Sequence, residues 1–207
     1  MGAYRRGWDG KSQMDAPEPG RSSLAELVQA LIESRSVSPA LRVGVTGHRV
    51  LEARTRRWAS QQLYDLFSFL AGLPPSAAPR RALSSLAIGT DQLFAEAAHH
   101  HGIPFEVVIP FASFIEDFAT GTERDSYERL LSAAASIAQL PWAERSDEAY
   151  LAGGVWVVDH CDLLIAIWNG EKAAGAGGTG EVVGYSRDTG KPCIHMHATA
   201  LRIEMLS

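Results

Sequence analysis

Leu41-Arg-Val-Gly-Val-Thr-Gly-His-Arg49 reads as a buried strand that stops in a small, polar, glycine-bearing turn. Leu41, Val43 and Val45 carry β-favouring apolar side chains, while Gly44 and Gly47 leave room for another backbone or a ligand to come close. The turn offers the Thr46 hydroxyl, open backbone N–H groups, the His48 imidazole and the Arg49 guanidinium, and a helical pattern follows over residues 54 to 71. A strand that ends this way and feeds a helix carries anion-binding chemistry at its carboxyl end.

The same unit recurs on either side of this stretch. Residues 82 to 88 run into Gly89-Thr90-Asp91 and then a helical face through His101, and residues 105 to 109 form a third strand that stops at Pro110-Phe111. Upstream, Ser22 or Ser23 can cap a helix that continues to about residue 34. Residues 112 to 150 are less regular and read as one or two helices over the sheet's carboxyl edge, a ligand-covering insertion. Asp147 can cap a helix over 148 to 160, and Asp162-Leu-Leu-Ile-Ala-Ile-Trp168 is the strongest buried run in the chain, ending at Asn169-Gly170. The glycine-rich Gly175–Glu181 follows, then a helix through Arg187 and a last strand, Cys193–His197. Repeated βαβ steps with short connections predict an α/β fold: a doubly wound, mostly parallel sheet with helices on both faces.

With 207 residues, 46% of them hydrophobic and 21% charged, the chain is long enough for one sizeable domain, expected over residues 23–207. Residues 1–22 mix Gly, Pro and charge with few aliphatics and read as a mobile or surface-draped segment. The formal net charge of −5 argues against nucleic acid as a partner, since such domains are usually basic. No apolar run reaches the roughly eighteen residues of a membrane span, and the N-terminus lacks the apolar core of a signal peptide, so a cytoplasmic protein is expected. Cys161 and Cys193 have no metal-like or redox-like spacing and read as small buried hydrophobes in a reduced compartment.

Ligands of open parallel sheets bind outside the carboxyl ends of the strands. The candidate ligand residues are therefore those of the turns: Thr46, Gly47, His48 and Arg49; Gly89, Thr90 and Asp91; Pro110 and Phe111; Asn169; and Gly177, Gly178, Thr179 and Glu181. Gly177-Gly178-Thr179 before a helix can cradle a phosphate, although a plain linker has the same composition. Arg49 can grip phosphate or carboxylate, or simply be an exposed helix-start arginine. His48 can touch ligand or only bond its own loop, and Thr90 and Asp91 can cap the following helix. Glu181 favours a helix's first turn with or without a ribose to bind. The runs His99-His100-His101 and His195/His197 lack the partners and geometry of a metal site, so none is expected. Arg54, Arg56 and Arg57 read as a solvated helix face that can also steer an anion.

Taken as an ordered set, Val43–Arg49, Ser85–Asp91, Ile109–Phe111, Asp162–Gly170 and Gly177–Glu181 resemble the SLOG superfamily, over about residues 40 to 197. That superfamily includes nucleotide-sensing domains, the lonely-guy phosphoribohydrolases and the DNA-processing protein A family. The resemblance implies a Rossmann-like fold that binds a nucleotide or NAD-derived, ADP-ribose-like ligand as a sensor, with no required cofactor. It further implies a homodimer and a separately encoded effector protein as partners. The alternative it carries is an N-glycosidic-bond hydrolase or transferase acting on nucleoside monophosphates, with Glu181 as the candidate catalytic residue. From that branch's motif, Pro-Gly-Gly-x-Gly-Thr-x-x-Glu, the chain departs: Ala176 replaces the proline, Gly184 takes the glutamate's place, and Glu148 through Asp162 contains no Arg or Lys.

Overall fold

The computed structural model describes residues 22–75, 78–171 and 177–206. The segment expected to be mobile thus lies outside the described residues except for its last member, as does the start of the glycine-rich stretch. The element order is α1 (Leu24–Glu33), β1 (Arg42–Gly47), α2 (Ala53–Gly72), β2 (Arg81–Ser84), α3 (Thr90–His100) and β3 (Phe105–Ile109). A 3-10 turn (Phe114–Asp117), α4 (Thr122–Ala133), β4 (Ser136–Gln139), α5 (Asp147–His160), β5 (Leu163–Trp168), α6 (Thr179–Asp188), β6 (Cys193–His197) and β7 (Arg202–Leu206) complete it.

The strands form one sheet in the order β4-β3-β2-β1-β5-β6-β7. Every pairing is parallel except β6 with β7. From β1 the chain moves outward through β2, β3 and β4, then returns to place β5 on the other side of β1. The order therefore reverses between β1 and β5, which is where a doubly wound sheet opens a crevice at its carboxyl edge.

Period-two side-chain alternation divides the core. Val43, Val45, Leu163, Ile165 and Ile167 pack with Leu63, Leu66 and Phe67 of α2 and Phe94 and Ala98 of α3 on one face. Leu83, Leu164 and Ala166 meet Val157 and Val158 of α5 and Val182 and Val183 of α6 on the other. Gly44 belongs to the second face, where an added Cβ would lie 2.7 Å from Val157 Cγ1 and 3.0 Å from Cys161 Cβ. The space left at Gly44 thus serves a helix rather than a ligand. Both cysteines are buried, and burial pushes the Cys161 thiol up to about 12 and the Cys193 thiol to about 11.

Several expected boundaries move for local reasons. Ser23 is the N-cap of α1 and forms a full capping box with Glu26. β2 stops at Ser84, because the Ser84 hydroxyl accepts the Leu86 N–H at 3.0 Å and Asp91 accepts the Ser85 N–H at 3.1 Å, which diverts the chain from the ladder. α3 begins at Thr90, one residue before Asp91, with Gly89 as its N-cap at φ +89°. Ser146, not Asp147, caps α5, accepting the Ala149 N–H at 3.1 Å. Residues 112–150 hold a strand, β4, as well as helices, and β7 adds an antiparallel edge beyond the strand read as the last. Ser136–Gln139 has no alternation to announce it and is mostly exposed, whereas Arg202-Ile-Glu-Met205 does alternate polar with apolar residues, a short signal for an edge strand that is never fully buried.

Candidate functional site

A cleft of about 540 Å³ opens at the β1–β5 reversal. Its floor is the end of β1, where Val45, Thr46, Gly47 and His48 lie beside Trp168, the last residue of β5, and Asn169 after it. Asp91 of α3 and Pro110 after β3 form one wall, and Gly177, Gly178, Thr179 and Gly180 at the start of α6 form the other. Arg49, Arg145 and Tyr150 stand over the opening side. Ten of the fourteen sequence-derived ligand candidates thus share one cavity: Thr46, Gly47, His48, Arg49, Asp91, Pro110, Asn169, Gly177, Gly178 and Thr179. Gly89, Thr90, Phe111 and Glu181 do not line it.

Those four shape the walls. Gly89 passes so close beneath the β1 turn that a Cβ would sit 2.2 Å from the Arg49 carbonyl oxygen, and its left-handed φ excludes other residues as well. Thr90 is fully buried; its hydroxyl and its N–H both donate to the His48 carbonyl, at 3.0 and 3.1 Å. It therefore ties α3 to the β1 turn instead of capping its own helix. Phe111 packs edge-to-face on Tyr150, with centroids 5.2 Å apart. Glu181 accepts the Gly177 N–H at 2.5 Å and so closes the glycine turn with its own carboxylate.

His48 links the two strands across the reversal. The Asn169 N–H donates to His48 Nε2 at 3.1 Å, which places the proton of the neutral ring on Nδ1. The His48 N–H in turn donates to the Ile167 carbonyl at 3.0 Å. The same residue therefore both lines the cleft and holds its floor together.

The cationic side centres on Asp117, whose side chain is only 5% exposed. It accepts from Arg49 Nη1 at 3.3 Å and from the Tyr150 hydroxyl in a short hydrogen bond, and Arg145 Nη1 lies 3.7 Å away. Both guanidinium carbons lie near the Tyr150 ring, Arg49 at 4.6 Å and Arg145 at 5.7 Å from its centroid. Burial works to lower the Arg49 pKa, but the Tyr150 and Asp117 interactions outweigh it and the net shift is upward. Burial raises the Tyr150 pKa, and its bond to Asp117 adds to the effect. Opposite, burial pushes the Asp91 carboxyl up to about 6, against the opposing pull of the Ser85 and Ala87 backbone N–H groups and of Arg49.

Asp117, Arg145 and Tyr150 did not come out of the sequence reading. The first lies in an irregular segment with no periodicity to place it. A signal existed for the other two: Ser146 is a good N-cap, and starting the helix there sets Arg145 and the first turn of α5 at the sheet's carboxyl edge. The histidines near the chain's end are engaged locally. His195 Nε2 lies 3.0 Å from the Trp168 carbonyl, and His197 Nδ1 accepts the Thr199 and Ala200 N–H groups at 3.3 and 3.2 Å.

No family model matches the chain, and no curated protein matches it. Among solved structures it is similar to DNA processing protein A from Streptococcus pneumoniae, at 14% identity and a TM-score of 0.52, over 75% of this chain and 50% of that one. It is also similar to DNA processing protein A from Helicobacter pylori, a structure described for its single-stranded DNA binding mode, at 15% identity and a TM-score of 0.51, over 75% of this chain and 65% of that one. The chain thus spans about half to two thirds of the proteins it resembles. The expectation that acidity argues against nucleic acid is corrected by the second of these, because this fold includes a single-stranded DNA binder. Net charge averages the whole surface, whereas a strand or nucleotide meets only the local field, and here two arginines converge on one cleft. The likeness, together with the sheet order, makes the fold Rossmann-like.

Proposed function

We propose that the protein binds a nucleotide, free or as part of a single strand, at the β1–β5 crevice and acts as a sensor of that ligand. One observation carries the reading. At the point where strand order reverses, a cleft of about 540 Å³ brings two guanidinium groups to face a glycine turn that opens a helix. That volume falls within the roughly 300–1,000 Å³ of small-molecule sites. The glycine turn and the guanidinium groups suit a phosphate, and the Tyr150 ring and the Trp168 edge suit a base. The ordered turns shared with the SLOG superfamily and the likeness to DNA processing protein A support the same ligand class.

Thermal denaturation with a panel of AMP, NAD, ADP-ribose, nucleoside monophosphates and a single-stranded oligonucleotide tests it. A true ligand stabilises the fold by about 2.7 kcal/mol at one hundred times its dissociation constant. Arg49→Ala weakens that ligand by roughly 1.5–3 kcal/mol, the range of a charge-assisted hydrogen bond. A panel with no response overturns the reading.

A second reading, cleavage of an N-glycosidic bond, is favoured by one feature. Asp91 lines the cleft with its carboxyl held near 6, close enough to neutrality to exchange a proton, while Glu181 is committed to the Gly177 N–H. Asp91 is thus the better acid–base candidate of the two. Chromatography of a saturated complex separates the readings: intact ligand supports the sensor, and released base that disappears in Asp91→Asn supports the enzyme.

A further inference from the structure

A second cavity, of about 230 Å³, lies beside the cleft, and His48 and Asn169 line both. The bond from the Asn169 N–H to His48 Nε2 forms the ridge between the two spaces. This annex is smaller than the roughly 300 Å³ at which drug-sized pockets begin. Its volume is about eight times the roughly 30 Å³ that one water occupies in the liquid, which sets the size of an occupant at about eight or nine non-hydrogen atoms. A nucleoside monophosphate is too large for it.

The chemistry of the annex differs from that of the main cleft. Val50, Leu51 and Leu201 form an aliphatic wall, and Val50 is 86% exposed, so it gains little from the protein's own packing. Leu201 is held at φ +49°, a left-handed backbone that a bulky side chain rarely adopts and that glycine or asparagine would suit better. Glu52 and Arg54 line the same space, yet they form no ion pair with each other or with any other described residue. Two opposite charges on one small cavity thus each keep a partner position open. The first turn of α2 has no side-chain cap, so its N–H groups add to Arg54 in favouring an anion. The walls are fixed, because the Thr55 hydroxyl donates to the Ala198 carbonyl at 2.7 Å and pins α2 to the turn after β6.

We infer that the annex is a separate site for a free α-amino acid with a branched aliphatic side chain. Its carboxylate lies toward Arg54 and the start of α2, its ammonium toward Glu52, and its side chain against Val50, Leu51 and Leu201. Arg54, Glu52 and Val50 each then gain the partner that the fold alone does not supply. An acid without the amine would set its charge beside that of Glu52, and an amine without the acid would set its charge beside that of Arg54, whereas the zwitterion meets both with opposite sign.

Calorimetric titration of the full chain with leucine, isoleucine, valine, glycine, isocaproate and isoamylamine tests the inference. The best of the three branched amino acids is expected to bind about tenfold or more tighter than glycine, since each buried methylene contributes about fourfold. It also binds about tenfold or more tighter than isocaproate or isoamylamine, each of which lacks one charged contact. Arg54→Gln weakens that amino acid and isocaproate together by about tenfold or more, whereas Glu52→Gln weakens the amino acid and leaves isocaproate as tight or tighter. Thr199→Trp, which fills the annex from its exposed rim, removes binding of them all. Glycine as tight as the branched amino acids overturns the inference. So does an affinity unmoved by both charge substitutions in proteins that melt normally, or no saturable binding of any branched amino acid by about 10 mM. None of these readouts uses a nucleotide, so their failure leaves the main cleft's reading untouched, and failure of that reading leaves them intact.

Discussion

Asp91 shows how one side chain can serve structure and site at once. Its carboxylate accepts the Ser85 N–H at 3.1 Å and shapes the loop after β2, yet it is nearly enclosed and faces the cleft. Since its carboxyl is raised to about 6 from an ordinary 3.8, the folded state binds more protons than the unfolded state between those values. Stability is therefore lost as pH rises through that window, by roughly 2–3 kcal/mol in all. Asp91→Asn keeps an acceptor for the Ser85 N–H and has no proton to lose. Its stability relative to the parent chain is expected to rise by that amount between pH 4 and about 6.5, read from urea midpoints across the range. A parallel pH dependence in both proteins removes the assignment. Asp117 has the opposite character, a near-buried acceptor shared by Arg49, Arg145 and Tyr150. Asp117→Asn leaves both guanidinium groups less neutralised, so phosphate-bearing ligands should bind severalfold tighter while the fold loses about 1–3 kcal/mol, checked by titration and chemical denaturation.

At the scale of elements, the site depends on how closely α5 lies on the sheet. Gly44 lets Val157 and Cys161 approach β1, and Gly154 lets Val182 of α6 approach α5, where a Cβ would stand 2.3 Å from Val182 Cγ2. Gly154 also lines the cleft, and Tyr150 lies one turn before it. Gly44→Ala inserts one methyl between β1 and α5, an overpacking expected to cost about 1–3 kcal/mol. Because displacing α5 moves Tyr150 away from Arg49 and Asp117, ligand affinity should fall with stability although residue 44 does not line the cleft. Unchanged binding in the destabilised variant would mean that the position of α5 does not govern the site. The aromatic layer on the same side works likewise: Phe114 meets Phe111, Phe118 and Tyr127 with centroids 5.3, 5.4 and 5.9 Å apart, and this layer sets the height of the 3-10 turn that carries Asp117.

For the whole molecule, an acidic chain carries a cleft whose rim sets two guanidinium groups against the carboxylates of Asp117 and Glu171. Among the described residues no helix is long and apolar enough to cross a membrane. The ligand then meets two guanidinium groups largely balanced by nearby carboxylates within a negative surround, and attraction between partly exposed charges weakens as the Debye length falls to about 8 Å at physiological salt. The remaining charge at the mouth is small, because Asp117 offsets Arg49 and Arg145 and Glu171 also lines the cleft. A mononucleotide should therefore show only a shallow salt dependence.

The parts of this protein legible in sequence are those governed by neighbours along the chain. Alternating or continuous apolar runs marked β1, β3, β5 and β6; Ser22 or Ser23 marked the start of α1; and the repeated strand–turn–helix motif predicted a parallel sheet with its chemistry on one edge. Ten of the proposed ligand residues share the cleft for that reason, since they end strands or begin helices at the sheet's carboxyl side. Tertiary structure decided what depends on long-range placement. It brought β1 beside β5, 120 residues apart in the register of Val43 with Leu163, and so put the reversal of strand order between them. It also gave Asp117, Arg145 and Tyr150 a common centre, turned Thr90 and Glu181 into braces, and set the annex beside the ridge. None of these has a local signature, because each arises where segments distant in sequence exclude water from one another and their polar groups must find partners at close range.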